Sequence, residues 1–435
     1  MYPYLPKDLI TMICEGLLCH HCQNRGEFPH ADTTEVCENK TTLSRVSRVC
    51  RGLRDWIQPI LYHYYATGNR MDITPGKLTY PYPYQSPDRL HLFLRTLASR
   101  PDLAQEVVSM QLVDYHDGLS YDDHTAYRYS AGDILIIRQL IAWSRQYNLL
   151  PTDRVREVVA KLDTETLYGP LMQDIHRWLV CLALILAANA RDVLLVFDIT
   201  GPFLPAFHEG QFRQLSSLRK LAVMGMSGMP YSFSSLRELM NVAPNLECLY
   251  ALDSDHLSFI PAAGKNAGYS PMMHMKKLVL GSLHPPYLGF LIRCVDGLEE
   301  LEYYWTAGGS VTFDLALSLK HTWRTLKRLC IACLPAPHGR NWAPIPWYGH
   351  AVDKMIQPLE SLADFPRLED ITIDYRPLFR EDEEDTADRL TRFLPPAIRR
   401  LRLSWIVGDM TESLMQLAFS ADKYFPELTT VDVGV

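Results

Sequence analysis

One apolar spelling, L-x-x-L-x-L, recurs eight times in the second half of the chain. It reads LRKLAV at Leu218, LECLYA at Leu246, MKKLVL at Met275 and LEELEY at Leu298. It continues as LKRLCI at Leu326, LEDITI at Leu368, IRRLRL at Ile398 and LTTVDV at Leu428. The starts lie 28, 29, 23, 28, 42, 30 and 30 residues apart. VLLVFD at Val193 and VVSMQL at Val107 read as earlier, degenerate copies. Such a period holds one strand and one helix, with SSLRELMNVAPN and MTESLMQLAFSADKYF as helix-like stretches between strands. A unit of that size cannot bury its leucines alone, so neighbouring units must stack. The expected fold is α/β, an irregular repeat solenoid with a parallel sheet on its concave side. An ordinary α/β domain with a parallel sheet is the other architecture these repeats allow.

In such an array the residues between and just after the strand leucines face the concave surface. They include Glu302, Tyr304, Thr372, Asp374, Arg402, Ser404 and Asp432, while Trp305, Tyr375 and Trp405 follow their strands at similar offsets. Aromatic and arginine residues are frequent interface anchors. Glu302, Tyr304, Trp305, Asp374, Tyr375, Arg402 and Trp405 are therefore candidates for binding a target protein. Three insertions break the period: 114–176, with a Tyr/Asp-rich loop and two expected helices, 334–352 and 376–388. The second is rich in proline and tryptophan, and Trp342 and Trp347 make it a candidate specificity loop. The third contains the acidic run REDEED, read as a solvated loop.

The first sixty residues follow a different period. Leu9, Ile13 and Leu17, with Ile10 alongside, place apolar residues on one helical face behind Leu5-Pro6-Lys7-Asp8. In TTLSRVSRVCRGLRDWIQPILY, Thr41 or Thr42 serves as a cap and Pro59 ends the helix. Leu43, Val46, Val49, Cys50, Leu53 and Ile57 form its apolar stripe. Helices this short cannot bury all these residues among themselves, so some must meet another surface. The order Leu5-Pro6, Leu9, Val49-Cys50-Arg51, Pro59 and Leu61-Tyr62 resembles an F-box, and the spacing resembles a group of fungal F-box proteins. The repeats behind it resemble irregular leucine-rich repeats. Leu53 stands where many F-boxes carry tryptophan, and residues 19–40 form an insertion between the first two helices.

The resemblance implies residues 1–68 as a three-helix F-box, 69–88 as a Pro/Tyr-rich linker and 89–435 as the repeat solenoid. It implies docking on a Skp-family adaptor, and through it on a cullin–RING ubiquitin ligase, with the repeats holding an unknown target protein. The adaptor-binding residues implied are Leu5, Pro6, Leu9, Ile10, Ile13, Leu43, Val46, Val49 and Cys50. Such a chain would be a non-catalytic substrate receptor. Two other readings stay open: a repeat scaffold without a ligase role, and a cysteine- or zinc-dependent enzyme built on the insertion.

Composition agrees with an intracellular protein, cytoplasmic and/or nuclear. Hydrophobic residues make up 47% and charged residues 21% of 435, as expected of a folded soluble chain. A net charge of −7 gives no reason to expect nucleic-acid binding. MYPYLPKDLI lacks the pattern of a signal peptide, and the apolar run Trp178–Ala190 is too short to cross a membrane. Ten cysteines in a chain of this length are expected as free thiols. Cys19 and Cys22 have zinc-site spacing, with His30 and Cys37 as possible completing ligands, but no second ligand pair follows. Cys330 and Cys333 lie on a strand-like run, where residues three apart face opposite sides. No G-x-G-x-x-G, P-loop, H-E-x-x-H or G-x-S-x-G occurs, so neither catalysis nor a cofactor is expected. The arginines at 45, 48, 51 and 54 read as a solvated stripe.

Overall fold

In the computed structural model the chain is described over residues 6–16, 34–66, 72–74, 77–79, 89–113, 130–146, 170–197, 214–225, 236–252, 272, 274–281, 283, 285–305, 318–333, 359, 361–374, 386–404 and 410–434. Three helices come first: α1 (Lys7–Gly16), α2 (Thr34–Val46) and α3 (Arg51–Tyr62). Cys14, Leu43, Ile57 and Ile60 form their buried core, with Ile10, Val46, Leu53 and Leu61 packed against it. The Pro6 carbonyl opens α1 by accepting from the N–H groups of Leu9 and Ile10 at 3.1 and 3.2 Å.

Behind α3 the backbone turns directly into strand β1 (Tyr64–Ala66), and a hairpin of β2 (Asp72–Thr74) and β3 (Lys77–Thr79) follows. Next come α4 (Leu90–Ser99), α5 (Pro101–Gln105), β4 (Ser109–Val113), α6 (Ala131–Gln146) and α7 (Pro170–Leu186). β5 (Asp192–Phe197), β6 (Lys220–Gly225) and α8 (Arg237–Val242) complete a first compact unit, Met1–Met229 with Ser235–Asn245. Its parallel strands are ordered β1-β4-β5-β6. α4 buries Leu90, Leu94 and Leu97 along one face, and its His91 meets Asp133 of α6 at 2.8 Å. α7 is buried on every side from Trp178 to Leu184. That explains the longest apolar run as an internal helix. Among the described residues no helix is long and apolar enough to cross a membrane.

The second compact unit is Pro230–Ser234 with Leu246–Val435. It contains β7 (Cys248–Leu252), β8 (Lys277–Gly281), α9 (Pro285–Arg293), β9 (Glu300–Trp305) and β10 (Arg328–Cys333). β11 (Asp370–Asp374), α10 (Arg389–Phe393), β12 (Arg400–Ser404), α11 (Thr411–Tyr424) and β13 (Thr430–Val433) follow. The strands are parallel in sequence order, so the described chain is α/β with eleven strands in parallel arrays. Each of the eight apolar units places its strand two residues after its first apolar position. The fourth and sixth positions point to the core: Leu278 and Leu280, Leu301 and Tyr303, Leu329 and Ile331, Ile371 and Ile373, Leu401 and Leu403 are all buried.

One backbone contact recurs at the foot of the strands. The Glu247 carbonyl accepts from the N–H groups of both Lys276 and Lys277, at 2.8 and 3.1 Å. Lys276, Glu299, Lys327, Glu369 and Arg399 each do the same for the next repeat. In the first unit Val108 and Arg191 play this part. So does His63, whose carbonyl accepts from Val108 and Ser109 at 2.8 and 2.9 Å.

Several sequence expectations change. The first strand of the array, β1, starts at Tyr64, within residues 1–68. Residues 69–88 carry the β2–β3 pair, and the compact units divide between residues 229 and 246. The helix expected from Thr41 onward is two helices. α2 starts at Thr34, taking part of the 19–40 insertion, and Thr42 lies within it, donating to the Glu38 carbonyl at 2.9 Å. Ser47 turns its hydroxyl onto the Ser44 carbonyl at 2.8 Å, and Cys50 is extended at φ −154°, which breaks the run. Pro59 lies inside α3 rather than ending it, because buried Ile60 holds the last turn in the core. The degenerate copy at Val193 is out of register by three residues. Val193 pairs with Leu221, a fourth position, so the unit opens at small Ala190.

Truncating a core member should unfold the N-terminal packet more than truncating an exposed apolar residue of the same helices. Ile57→Ala should cost about 2–5 kcal/mol in urea unfolding, whereas Met12→Ala should stay within about 0.5 kcal/mol.

Candidate functional site

The core of the three N-terminal helices closes without the outer face of α1. Leu9, Met12 and Ile13 are 43%, 60% and 54% exposed, at helical offsets of three and four that put them on one face. Val49, in the turn between α2 and α3, is 72% exposed, the most of any described large apolar residue of the packet. Cys50 beside it is exposed and caps α3, its sulfur accepting the Leu53 N–H at 3.5 Å. Pro6 is exposed at the start of α1. The expected adaptor residues therefore separate into two groups. Pro6, Leu9, Ile13, Val49 and Cys50 are presented outward. Leu43 is wholly buried, and Ile10 and Val46 pack on the core beside it, so these three hold the helices together. Leu5 lies outside the described residues. Met12 was missed by the sequence reading, although its offset of three from Leu9 places it on the same face.

The second surface is the face of the second unit's strands turned away from the helices. Glu302 and Tyr304 of β9 meet Lys277 of β8 and Cys330 of β10 there. Lys277 Nζ reaches Glu302 Oε1 at 2.7 Å and Glu300 Oε2 at 3.2 Å. The Tyr304 hydroxyl donates to Glu302 Oε2 at 2.9 Å, and the Cys330 thiol donates to the Tyr304 oxygen at 3.8 Å. Burial works against the Lys277 ammonium, but the carboxylates of Glu302 and Glu300 outweigh it and hold its pKa well above the ordinary lysine range. Burial pushes the Cys330 thiol up to about 12 and, chiefly, the Tyr250 phenol up to about 12. The lysine is thus kept charged and the thiol kept neutral, which makes both poor nucleophiles near neutral pH. The cluster presents donors and acceptors rather than a reactive group.

The other candidates on this face sit apart from that cluster. Buried Asp374 accepts from the Ser404 hydroxyl, and Arg402 pairs with Asp432 at 3.2 Å. Glu302 and Arg402 share one register row but stand three strands apart, a separation of about 14 Å. Trp305 ends β9, its side chain outside the described set, and Tyr375, Trp405, Trp342 and Trp347 lie outside the described residues.

A stronger signal went unread in the sequence. The pair of residues between the first two leucines reads KK, EE, KR, ED and RR in the five units from Met275 to Ile398. Its sign alternates from strand to strand, and parallel register turns the alternation into rows of ion pairs. Arg328 bridges Glu300 at 3.3 Å and Asp370 at 3.1 Å, and Arg400 meets Asp370 again at 2.6 Å. Behind this row Lys276 pairs with Glu247 at 3.5 Å, Lys327 with Glu299 at 2.7 Å, and Arg399 with Glu369 and Glu427 at 3.3 and 2.7 Å.

Cys19, Cys22 and His30 lie outside the described residues, and Cys37 is on α2 with its side chain outside them. Among the described residues no group of three or more histidine, cysteine, aspartate or glutamate side chains could hold a metal ion. Compared with known proteins, the chain matches no family model and no curated protein.

Alkylation by iodoacetamide at pH 8, read peptide by peptide in a mass spectrometer, should modify Cys50 in the native chain. Cys181, whose thiol burial drives upward, and Cys330 should react only after denaturation.

Proposed function

We propose that the chain is a non-catalytic substrate-recognition subunit of an SCF-type ubiquitin ligase. Its N-terminal helices act as an F-box that docks on a Skp-family adaptor, and its strands act as leucine-rich repeats that hold a target protein. One observation carries the reading: the three-helix core is complete while Leu9, Met12 and Ile13 remain on one exposed face of α1. An apolar face of this kind is costly to leave in water and suits a helix-in-groove contact. Val49 and Cys50, in the turn before α3, are exposed as well. The resemblance of the first seventy residues to an F-box, noted from the sequence, names the partner class.

The array supports the second half of the reading. From β4 to β12 its described helix-facing positions are apolar and buried, and the other face of the second unit carries charges, a tyrosine and arginines that a target can engage. Work of this kind needs no chemistry from the chain itself. Holding a target close to a charged enzyme raises the effective concentration of the reacting groups. The protonated Lys277 and neutral Cys330 agree with a binding role. On this reading the protein works in the cytoplasm or nucleus.

The test is co-purification of the full chain with a Skp-family adaptor, alongside Leu9→Ala and Ile13→Ala variants. Both residues are exposed, so stability should hold. Binding should weaken by about 1–3 kcal/mol per substitution, roughly fivefold to 150-fold. Normal adaptor binding by both variants would contradict the docking face.

A further inference from the structure

Among the described residues β13 has a partner strand on one side only: it pairs with β12, and no strand lies beyond it. Its helix-facing residues differ from those of every strand before it in the second unit. Leu401 and Leu403 are buried, but their register partners Val431 and Val433 are 41% and 47% exposed. Met415 and Phe419, one turn apart on α11, are exposed as well. The backbone has the same asymmetry. The N–H groups of Thr430 and Gly434 bond to the carbonyls of Arg399 and Leu403 in the preceding repeat, at 3.2 and 2.8 Å. In a parallel strand, alternate residues direct both N–H and C=O to the same side. Val431 and Val433 therefore direct theirs to the open edge, which is a template for one more strand.

Charge narrows what that strand is. Two open-face carboxylates at the foot of the array lie between cations from both neighbouring strands, Glu300 between Lys277 and Arg328 and Asp370 between Arg328 and Arg400. Glu302, in the register row of Asp432, has Lys277 on one side and Cys330 on the other. Asp432 has Arg402 at 3.2 Å on the β12 side and the open edge on the other. The first open-face position of β13 is the neutral Thr430, so Asp432 is the one charge this strand offers a newcomer on that face. We propose that the edge of β13 binds an extended segment of a partner protein as a further parallel strand. The segment carries lysine or arginine opposite Asp432, and β-branched apolar residues opposite Val431 and Val433. This inference stands apart from adaptor docking, since it uses no residue of the N-terminal helices.

The test uses the full chain and two fluorescein-labelled, end-capped peptides, TVKVT and TVEVT, each flanked by glycine–serine. Fluorescence anisotropy should show saturable binding of TVKVT and roughly tenfold weaker binding of TVEVT, as expected when an attractive cross-strand pair becomes a repulsive one. Asp432→Lys should reverse that order. Val433→Pro removes an N–H that β12 does not use, a position where an edge strand tolerates proline. It should weaken TVKVT at least tenfold with the circular dichroism spectrum unchanged. Absence of saturable binding, equal binding of both peptides, or full binding by the folded Val433→Pro variant would overturn the proposal. So would a concentration-dependent dimer in sedimentation that Val433→Pro abolishes, which would give the edge to a second copy of the chain.

Discussion

The contact on which the architecture rests is a backbone carbonyl shared by two amides. At the foot of the repeats from Leu246 to Ile398, the residue after the first apolar position offers its C=O to two successive N–H groups of the next repeat, as Glu299 does for Lys327 and Arg328. Each such bond is worth about 0.5–1.5 kcal/mol net, so its value lies in geometry. Two donors on one acceptor set where the next strand starts, and a slip of one residue would turn the leucines outward. Leu301, Leu329, Ile371 and Leu401 then fall in one buried row.

The charged rows on the other face follow from that register. Glu300 and Asp370 each stand between two cations because the strand feet are aligned and because the units alternate in sign. Exposed pairs of this kind add little individually. Their effect is on order: exchanging neighbouring units, or skipping one, would set like charges side by side. That row ends at the neutral Thr430, and the next one ends at Asp432, which pairs with Arg402 on the β12 side.

The strands were legible because L-x-x-L-x-L records burial, and burial is what stacking demands. All eight units found by spelling became strands. Ala190 hid the start of one earlier unit, since a small residue fills the first apolar position there. The strand at Tyr64 was hidden for a related reason: α3 runs without a gap into His63, and Tyr62 ends that helix where other units place a leucine. At the N-terminus the apolar residues were identified correctly but not sorted. Periodicity shows that Leu9, Ile13, Leu43 and Val46 are apolar and face one way along each helix. Which of them close the core and which stay outside depends on how α1, α2 and α3 pack, and Leu43 proved internal while Leu9 and Ile13 stayed outside. The break at Ser47–Cys50 was equally local, set by a hydroxyl and a thiol taking up backbone groups.

The central claim is that a complete three-helix core leaves one face of α1 for a Skp-family adaptor while the strands remain available to a target. Amide hydrogen exchange of the full chain, alone and saturated with the adaptor, measures this directly. The account predicts new protection over Lys7–Gly16 and the turn around Val49–Leu53, with β7 to β13 unchanged. Unaltered exchange in α1, or protection centred on the strands, would contradict it.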